Sequence, residues 1–163
     1  MKVKLVEYPK ELVFTENSTI CEVGMYYKIT KRSNTKISNS ADAAKIARDL
    51  LAERVNIHEE MWIIMMSTSG MFMCAYKVSS GSSFGTVSDV QGVITMMLLT
   101  KSRSCIIFHN HPSGSLVPSE ADRNVVREMS KAMDYMNVSL HDSLMITDLH
   151  YYSFADDGMM TRT

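Results

Sequence analysis

Apolar runs of strand length alternate with amphipathic stretches from about residue 40 to the end of this 163-residue chain. A short unbroken apolar run is typical of a buried strand, whereas apolar residues that recur every three or four positions are typical of a helix packed on one side. The pattern predicts strands at 61–66, 71–78, 104–108, 138–147 and 150–154. It predicts a helix capped by Ser40, a second helix capped by Ser88 and a third helix from about residue 119. The fold class is therefore α/β or α+β, with helices covering at least one face of a sheet.

The length of the chain fits one domain, because typical domains have about 100–150 residues. Residues 1–38 contain short apolar runs separated by polar residues, and we interpret them as a strand-rich extension packed on the same domain. The polar segment 31–40 leads from this extension into the first helix. Residues 39–163 then form the main domain.

The charge balance and the cysteines exclude several classes of protein. There are 17 Lys and Arg against 18 Asp and Glu, which gives a formal charge of −1. This balance disfavours a protein that binds nucleic acid mainly through contacts with phosphates. Three cysteines without a C-x-x-C pair argue against a disulfide framework or a thiolate zinc cage. With no readable signal peptide and no apolar run of membrane-spanning length, we expect a cytoplasmic protein with no membrane partner.

The stretch H-N-H-P-S-G at 109–114 carries the most informative chemistry. Residues i and i+2 at a strand end project to the same side, so His109 and His111 can approach one point. Asp122 lies four residues before Val126, on the inward face of the third helix, where a carboxylate needs a cation or several donors. Two imidazoles, one carboxylate and an open position are typical of a catalytic zinc site that holds one Zn²⁺ through three protein ligands and water.

The segment Ser119-x-x-Asp122 also has a purely structural interpretation. A serine three residues before an aspartate is typical of a helix N-terminus, with Ser119 as the cap and Asp122 favoured by the helix dipole. The sequence alone leaves this interpretation open beside metal binding.

The motif as a whole resembles the RadC-type branch of the JAB/MPN (JAMM) metalloprotease superfamily. An upstream Glu60 is followed by H-N-H-P-S-G, a short spacer and P-S-E-A-D, over a resemblance that spans about residues 40–158. The resemblance implies a mixed β-sheet flanked by helices, with a cytidine-deaminase-like architecture. It also implies that His109, His111 and Asp122 bind zinc, that Glu60 acts as general acid/base on a zinc-activated water, and that Ser119 hydrogen-bonds the oxyanion.

These observations support three functional hypotheses. The first is a zinc-dependent hydrolase of the JAMM type, a metallopeptidase or isopeptidase whose peptide or isopeptide substrate is unidentified. The second is a RadC-like accessory module for DNA transactions without hydrolysis, in keeping with the family's DNA-repair label. Residues 1–40 lack the helix-hairpin-helix pattern of full-length RadC proteins, which weakens the case for DNA as a partner. A zinc-dependent nuclease is the third and ranks last, and an edge strand leaves a homodimer open.

Overall fold

A five-stranded sheet is the framework of the protein, and the computed structural model describes residues 34–81 and 89–160. The elements in chain order are α1 (Ser40–Leu51), a 3₁₀ turn (Ala52–Asn56), β1 (Glu60–Met66), β2 (Phe72–Ser80), α2 (Val90–Thr100), β3 (Ser104–Asn110), α3 (Glu120–Tyr135), β4 (Ser139–Ile146) and β5 (Tyr151–Ser153). Each strand and helix predicted within these ranges is present. The prediction of an α+β fold is therefore confirmed.

The sheet is mixed, with strand order β2-β1-β3-β4-β5. β1 pairs antiparallel with both β2 and β3, β3 and β4 run parallel, and β5 returns antiparallel to β4. Parallel strands need a crossover connection, and α3 supplies it between β3 and β4. The N-terminus of α3 therefore follows the carboxyl end of β3 in the chain.

Helices cover both faces of the sheet. Ala43, Ala47 and Leu51 of α1 pack on one face, in a cluster that includes Ile64 and Phe108. The opposite face packs against α2 and α3, with Met61, Ile63, Met65, Ile107, Met129 and Met133 in its cluster. Successive side chains of β1 alternate between these two clusters, as the pleat of a strand requires. No helix in the described ranges is long and apolar enough to span a bilayer.

The predicted N-terminal extension lies almost entirely outside the described residues. Within 34–38, Lys36 forms an isolated antiparallel bridge with Met71, and the backbone N–H of Ile37 donates to the carbonyl of Gly70 at 2.9 Å. The division of the chain at residue 38 stays a prediction.

Two helix caps differ from the sequence-based prediction. Asn39 rather than Ser40 caps α1, because its side chain accepts from the backbone N–H of Asp42, and the Ser40 hydroxyl instead donates to Asp156. Asp89 caps α2 by accepting from Gly92. Both true caps lie one residue from the predicted serine, and asparagine and aspartate cap as well as serine does.

A buried carboxylate joins the last two strands. Asp142 of β4 is 4% exposed and accepts hydrogen bonds from the Ser153 hydroxyl (2.6 Å) and from the backbone N–H groups of Ser143 (2.7 Å) and Ala155 (3.0 Å). Burial raises the pKa of Asp142 above its ordinary value, although these three hydrogen bonds act in the opposite direction. The fold therefore binds a proton at Asp142 more tightly than the unfolded chain does.

We expect Asp142→Ala to destabilise the protein by about 2 kcal/mol, because three buried donors lose their acceptor. Asp142→Asn keeps the oxygen that accepts both backbone N–H groups and removes the buried charge, so it should be at least as stable as the wild type at pH 7. Because the folded-state pKa is raised, the wild type loses stability as pH rises above the unfolded-state pKa of about 3.9.

Urea denaturation of all three proteins between pH 4 and pH 8 measures both effects. The advantage of Asp142→Asn over the wild type should shrink as pH falls. An advantage that grows toward pH 4, or an alanine variant as stable as the wild type, would contradict this account of Asp142.

Candidate metal centre

The two predicted histidine ligands lie at the carboxyl end of β3. His109 belongs to the strand, and the backbone N–H of His111 donates to the carbonyl of Ile146 at 2.8 Å, which keeps the chain alongside β4 for one residue more. Because the backbone stays extended from 109 to 111, both imidazoles project to the same side. That side is the α3 face, since His109 is paired with Met61, whose side chain packs with α3.

The three predicted ligand atoms converge on one point. The distance from His109 Nε2 to His111 Nε2 is 2.9 Å, and the distances from Asp122 Oδ1 to these two nitrogens are 3.1 and 3.9 Å. Ligands on a tetrahedral zinc ion with bonds of about 2.0–2.1 Å lie about 3.3 Å apart. The observed triangle is thus close to three corners of such a tetrahedron.

The loop after β3 fixes the orientation of the second imidazole. His111 donates from Nδ1 to the carbonyl of Ser115 at 2.8 Å, which leaves its Nε2 as the atom that offers a lone pair. The loop turns back tightly, with the N–H of Gly114 donating to the carbonyl of His111 and Gly114 at φ +78°, a conformation that favours glycine. The tight turn at P-S-G therefore helps to fix the orientation of the His111 imidazole.

Asp122 helps to cap α3, and its second oxygen is also placed for the metal-binding role that the sequence left open. Ser119 caps α3 in a capping box, because its hydroxyl accepts from the Asp122 N–H while Asp122 Oδ2 accepts from the Ser119 N–H at 2.7 Å. The Ser119 hydroxyl also donates to Oδ2 at 2.6 Å. The other oxygen, Oδ1, is the one that approaches the histidines. The capping interpretation and the metal interpretation are thus compatible, since each uses a different oxygen.

The electrostatics of the cluster suit a cation. His109 and Asp122 are each 5% exposed, and His111 is partly buried. Burial by itself would raise the pKa of Asp122, but hydrogen bonds from His109 and Ser119 hold that pKa well below its usual range. The residues present therefore fit zinc, because two imidazole nitrogens and a carboxylate oxygen are ligands that zinc accepts in catalytic sites.

The predicted acid/base, Glu60, is not brought to this cluster. Its side chain is fully buried, and its Oε2 accepts from Trp62 Nε1 at 2.9 Å. Its Oε1 lies 3.1 Å from both Arg54 Nε and His58 Nε2. Trp62 packs with the α1 cluster and His109 lies on the α3 side, so the carboxylate of Glu60 and the ligand triangle lie on opposite faces of the sheet.

Strand alternation predicts the opposite orientation for the adjacent residue, Glu59. It precedes Met61 by two residues, and Met61 is the residue paired with His109. The carbonyl of Glu59 accepts from Gly81 at 2.9 Å, which extends the β1–β2 pairing by one residue, and Glu59 is partly buried. In an extended backbone, residues i and i+2 share a face, so we expect the Glu59 side chain to lie on the face of the ligand triangle. The strand period of β1 is the sequence signal that predicts Glu59 and Glu60 on opposite faces of the sheet.

Comparison with known proteins gives the family of this fold and this site. The sequence profile of the RadC-like JAB domain matches residues 37–159, which includes every element described above. The chain belongs to the RadC-like JAB family. The earlier resemblance to the RadC branch of the JAB/MPN superfamily is thereby confirmed.

The RadC-like relatives come from several bacteria and are named as UPF0758 proteins. One from Flavobacterium johnsoniae is 36% identical over 124 residues, which cover 76% of this chain and 53% of the relative. One from Porphyromonas gingivalis is 34% identical, covering 63% of this chain and 45% of the relative. A third, from Clostridium perfringens, is 27% identical over 98% of this chain and 68% of its own length. The chain thus spans about half the length of the first two.

Proposed function

We propose that this RadC-like JAB domain is a zinc-dependent hydrolase of amide or isopeptide bonds. The observation that carries the proposal is the convergence of His109 Nε2, His111 Nε2 and Asp122 Oδ1 within 3.9 Å of one another. Three ligands of this kind leave a position open for solvent or substrate, which distinguishes a catalytic zinc site from a structural one with four protein ligands.

Each residue of the site has a defined task in this proposal. His109, His111 and Asp122 would hold the zinc ion, and Ser119 keeps the Asp122 carboxylate in place through the capping box. When bound, zinc would supply Lewis-acid chemistry that makes water nucleophilic near neutral pH. Ser119 as an oxyanion donor stays a prediction, since its hydroxyl donates to Asp122 in this structure.

The hydrolysis also needs a group that takes a proton from the attacking water and returns it to the leaving amine. The resemblance to the RadC branch implied this role for Glu60, whose carboxylate accepts hydrogen bonds from Trp62 and Arg54 on the other face of the sheet. We propose Glu59 instead, since strand alternation directs it to the face of the ligand triangle. The assignment to Glu60 remains a prediction, and the two glutamates can be tested separately.

Exposed apolar residues in the loops around the cluster support a peptide as substrate. Val117, which lies between Ser115 and Ser119, is 76% exposed, and Leu149 in the turn between β4 and β5 is 78% exposed. The first loop contacts the site, because the carbonyl of Ser115 accepts from His111 Nδ1, and the second follows β4, whose last residue Ile146 accepts from the backbone N–H of His111. Apolar side chains beside a zinc site suit an extended peptide better than a phosphodiester backbone.

The proposal is tested with zinc-loaded protein, a fluorescein-labelled mixed peptide library and a peptide branched through a lysine isopeptide bond. We expect cleavage that a chelator abolishes and that added zinc restores, detected as new fragments by mass spectrometry. His109→Ala serves as the inactive control. Zinc-loaded protein that cleaves neither substrate would contradict the proposal, and steep salt-dependent DNA binding in a gel shift would then favour the DNA-transaction module.

A further inference from the structure

Asn110 stands between the two histidine ligands and points away from them. The residues on either side, His109 and His111, project to the α3 face, so the Asn110 side chain projects to the α1 face. Asn110 is the last residue of β3, and its side chain is fully buried. A buried amide in this place needs partners for its oxygen and for both of its N–H groups.

All three groups are satisfied by the segment that leads into β1. Asn110 Oδ1 accepts from the backbone N–H of Glu60 at 2.8 Å. Asn110 Nδ2 donates to the carbonyls of Val55 and His58, at 2.8 Å each. Every partner is a backbone group, so the contacts depend on the path of the 55–60 segment and not on the identity of its side chains.

These contacts replace main-chain pairing at the point where the metal ligands lie. The backbone pairs of β1 with β3 that the structure describes end at Met61–His109. One residue further, the Asn110 side chain takes the Glu60 N–H that continued pairing would otherwise use. On the other side of β3, the main chain of His111 is held by Ile146 of β4. The backbone of 109–111 is thus fixed from both sides.

We infer that Asn110 is a positioning residue for the metal centre. By holding the strand end, it sets the separation of the two imidazole nitrogens, although it contacts neither metal nor substrate. An aspartate would place a carboxylate against two carbonyl oxygens, and a serine is too short to reach all three partners. Asparagine alone among these residues offers one acceptor and two donors at this length. The inference rests on the proposed function in one respect, that zinc binds at this cluster.

Zinc and cobalt(II) are the probes for the test, and Asn110→Ser is the first variant. We expect the zinc Kd, measured by competition with a chromophoric chelator, to rise by about 10–100-fold, as is usual when groups that orient metal ligands are removed. The visible d–d absorption of the cobalt-loaded protein should change in shape, because that spectrum reports ligand geometry. Asn110→Asp is the second variant and should weaken zinc binding further. Circular dichroism at the assay temperature establishes that each variant is folded.

Ser104→Ala is the matched control, because Ser104 is also buried in β3 but donates to the carbonyl of Ser67 at the other end of the strand. It should lower the melting temperature without changing zinc affinity or the cobalt spectrum. A folded Asn110→Ser protein with wild-type zinc affinity and spectrum would overturn the inference while leaving the proposed function intact. A wild-type protein that binds no zinc would overturn both.

Discussion

Asp122→Asn is expected to remove stoichiometric zinc from the protein. The wild type should retain about one equivalent after dialysis, bound by two imidazole nitrogens and the Asp122 carboxylate. An amide carries no charge to offset that of the ion, so we expect zinc affinity to fall by more than about 100-fold, since even changes to groups behind the ligands cost about 10–100-fold. Metal analysis by mass spectrometry gives the stoichiometry, and chelator competition gives the Kd.

Thermal unfolding provides an independent measure of the same prediction. A ligand present at 100 times its Kd stabilises the folded state by about 2.7 kcal/mol, so zinc should raise the melting temperature of the wild type but not that of Asp122→Asn. Glu128→Gln is the control, because Glu128 is an exposed residue of the same helix, paired with Lys131. An Asp122→Asn protein that keeps one equivalent of zinc at wild-type affinity would refute the metal site.

Glu59→Gln and Glu60→Gln are expected to have opposite effects on turnover and stability. Glu59→Gln should keep zinc and lower kcat by about 10²–10⁴-fold, the range usual for loss of a general acid/base. Glu60→Gln should retain turnover in the folded protein but lose about 2 kcal/mol of stability, because the hydrogen bond from Arg54 Nε then has a neutral acceptor instead of a charged one. Kinetics on the cleaved peptide and urea denaturation measure the two effects.

The Glu60 part of this prediction depends on its ionisation. Burial would raise the pKa of Glu60, but hydrogen bonds from Trp62 and Arg54 and the charges of Arg54 and Lys77 bring it below its ordinary value. The carboxylate is therefore ionised at neutral pH and stabilises its cationic neighbours. A folded, zinc-loaded Glu60→Gln protein without turnover, beside an active Glu59→Gln protein, would restore Glu60 as the acid/base.

The strands and helices were predictable because each has a short-range cause. The unbroken apolar run at 104–108 predicted β3, and the stripe that includes Val126, Met129 and Met133 predicted α3. The caps were less accurate, since several polar residues near a helix start can all accept the same backbone N–H. The hydrogen bonds of Asp142 with Ser153 and Ala155 were not predictable, because they join residues 11 and 13 positions apart.

The amino-acid sequence alone was enough to predict the His109, His111 and Asp122 cluster, because the i, i+2 spacing of the histidines and the motif around Asp122 are local in the chain. Only the tertiary structure decided which face of β1 lies on the side of the two histidines. A strand has a period of two, so a shift of one residue moves a side chain to the other face of the sheet. The pairing of Met61 with His109 puts these two residues on one face and Glu60 on the opposite face, beside Trp62 and α1, so that alternation predicts Glu59 on the face of the histidines.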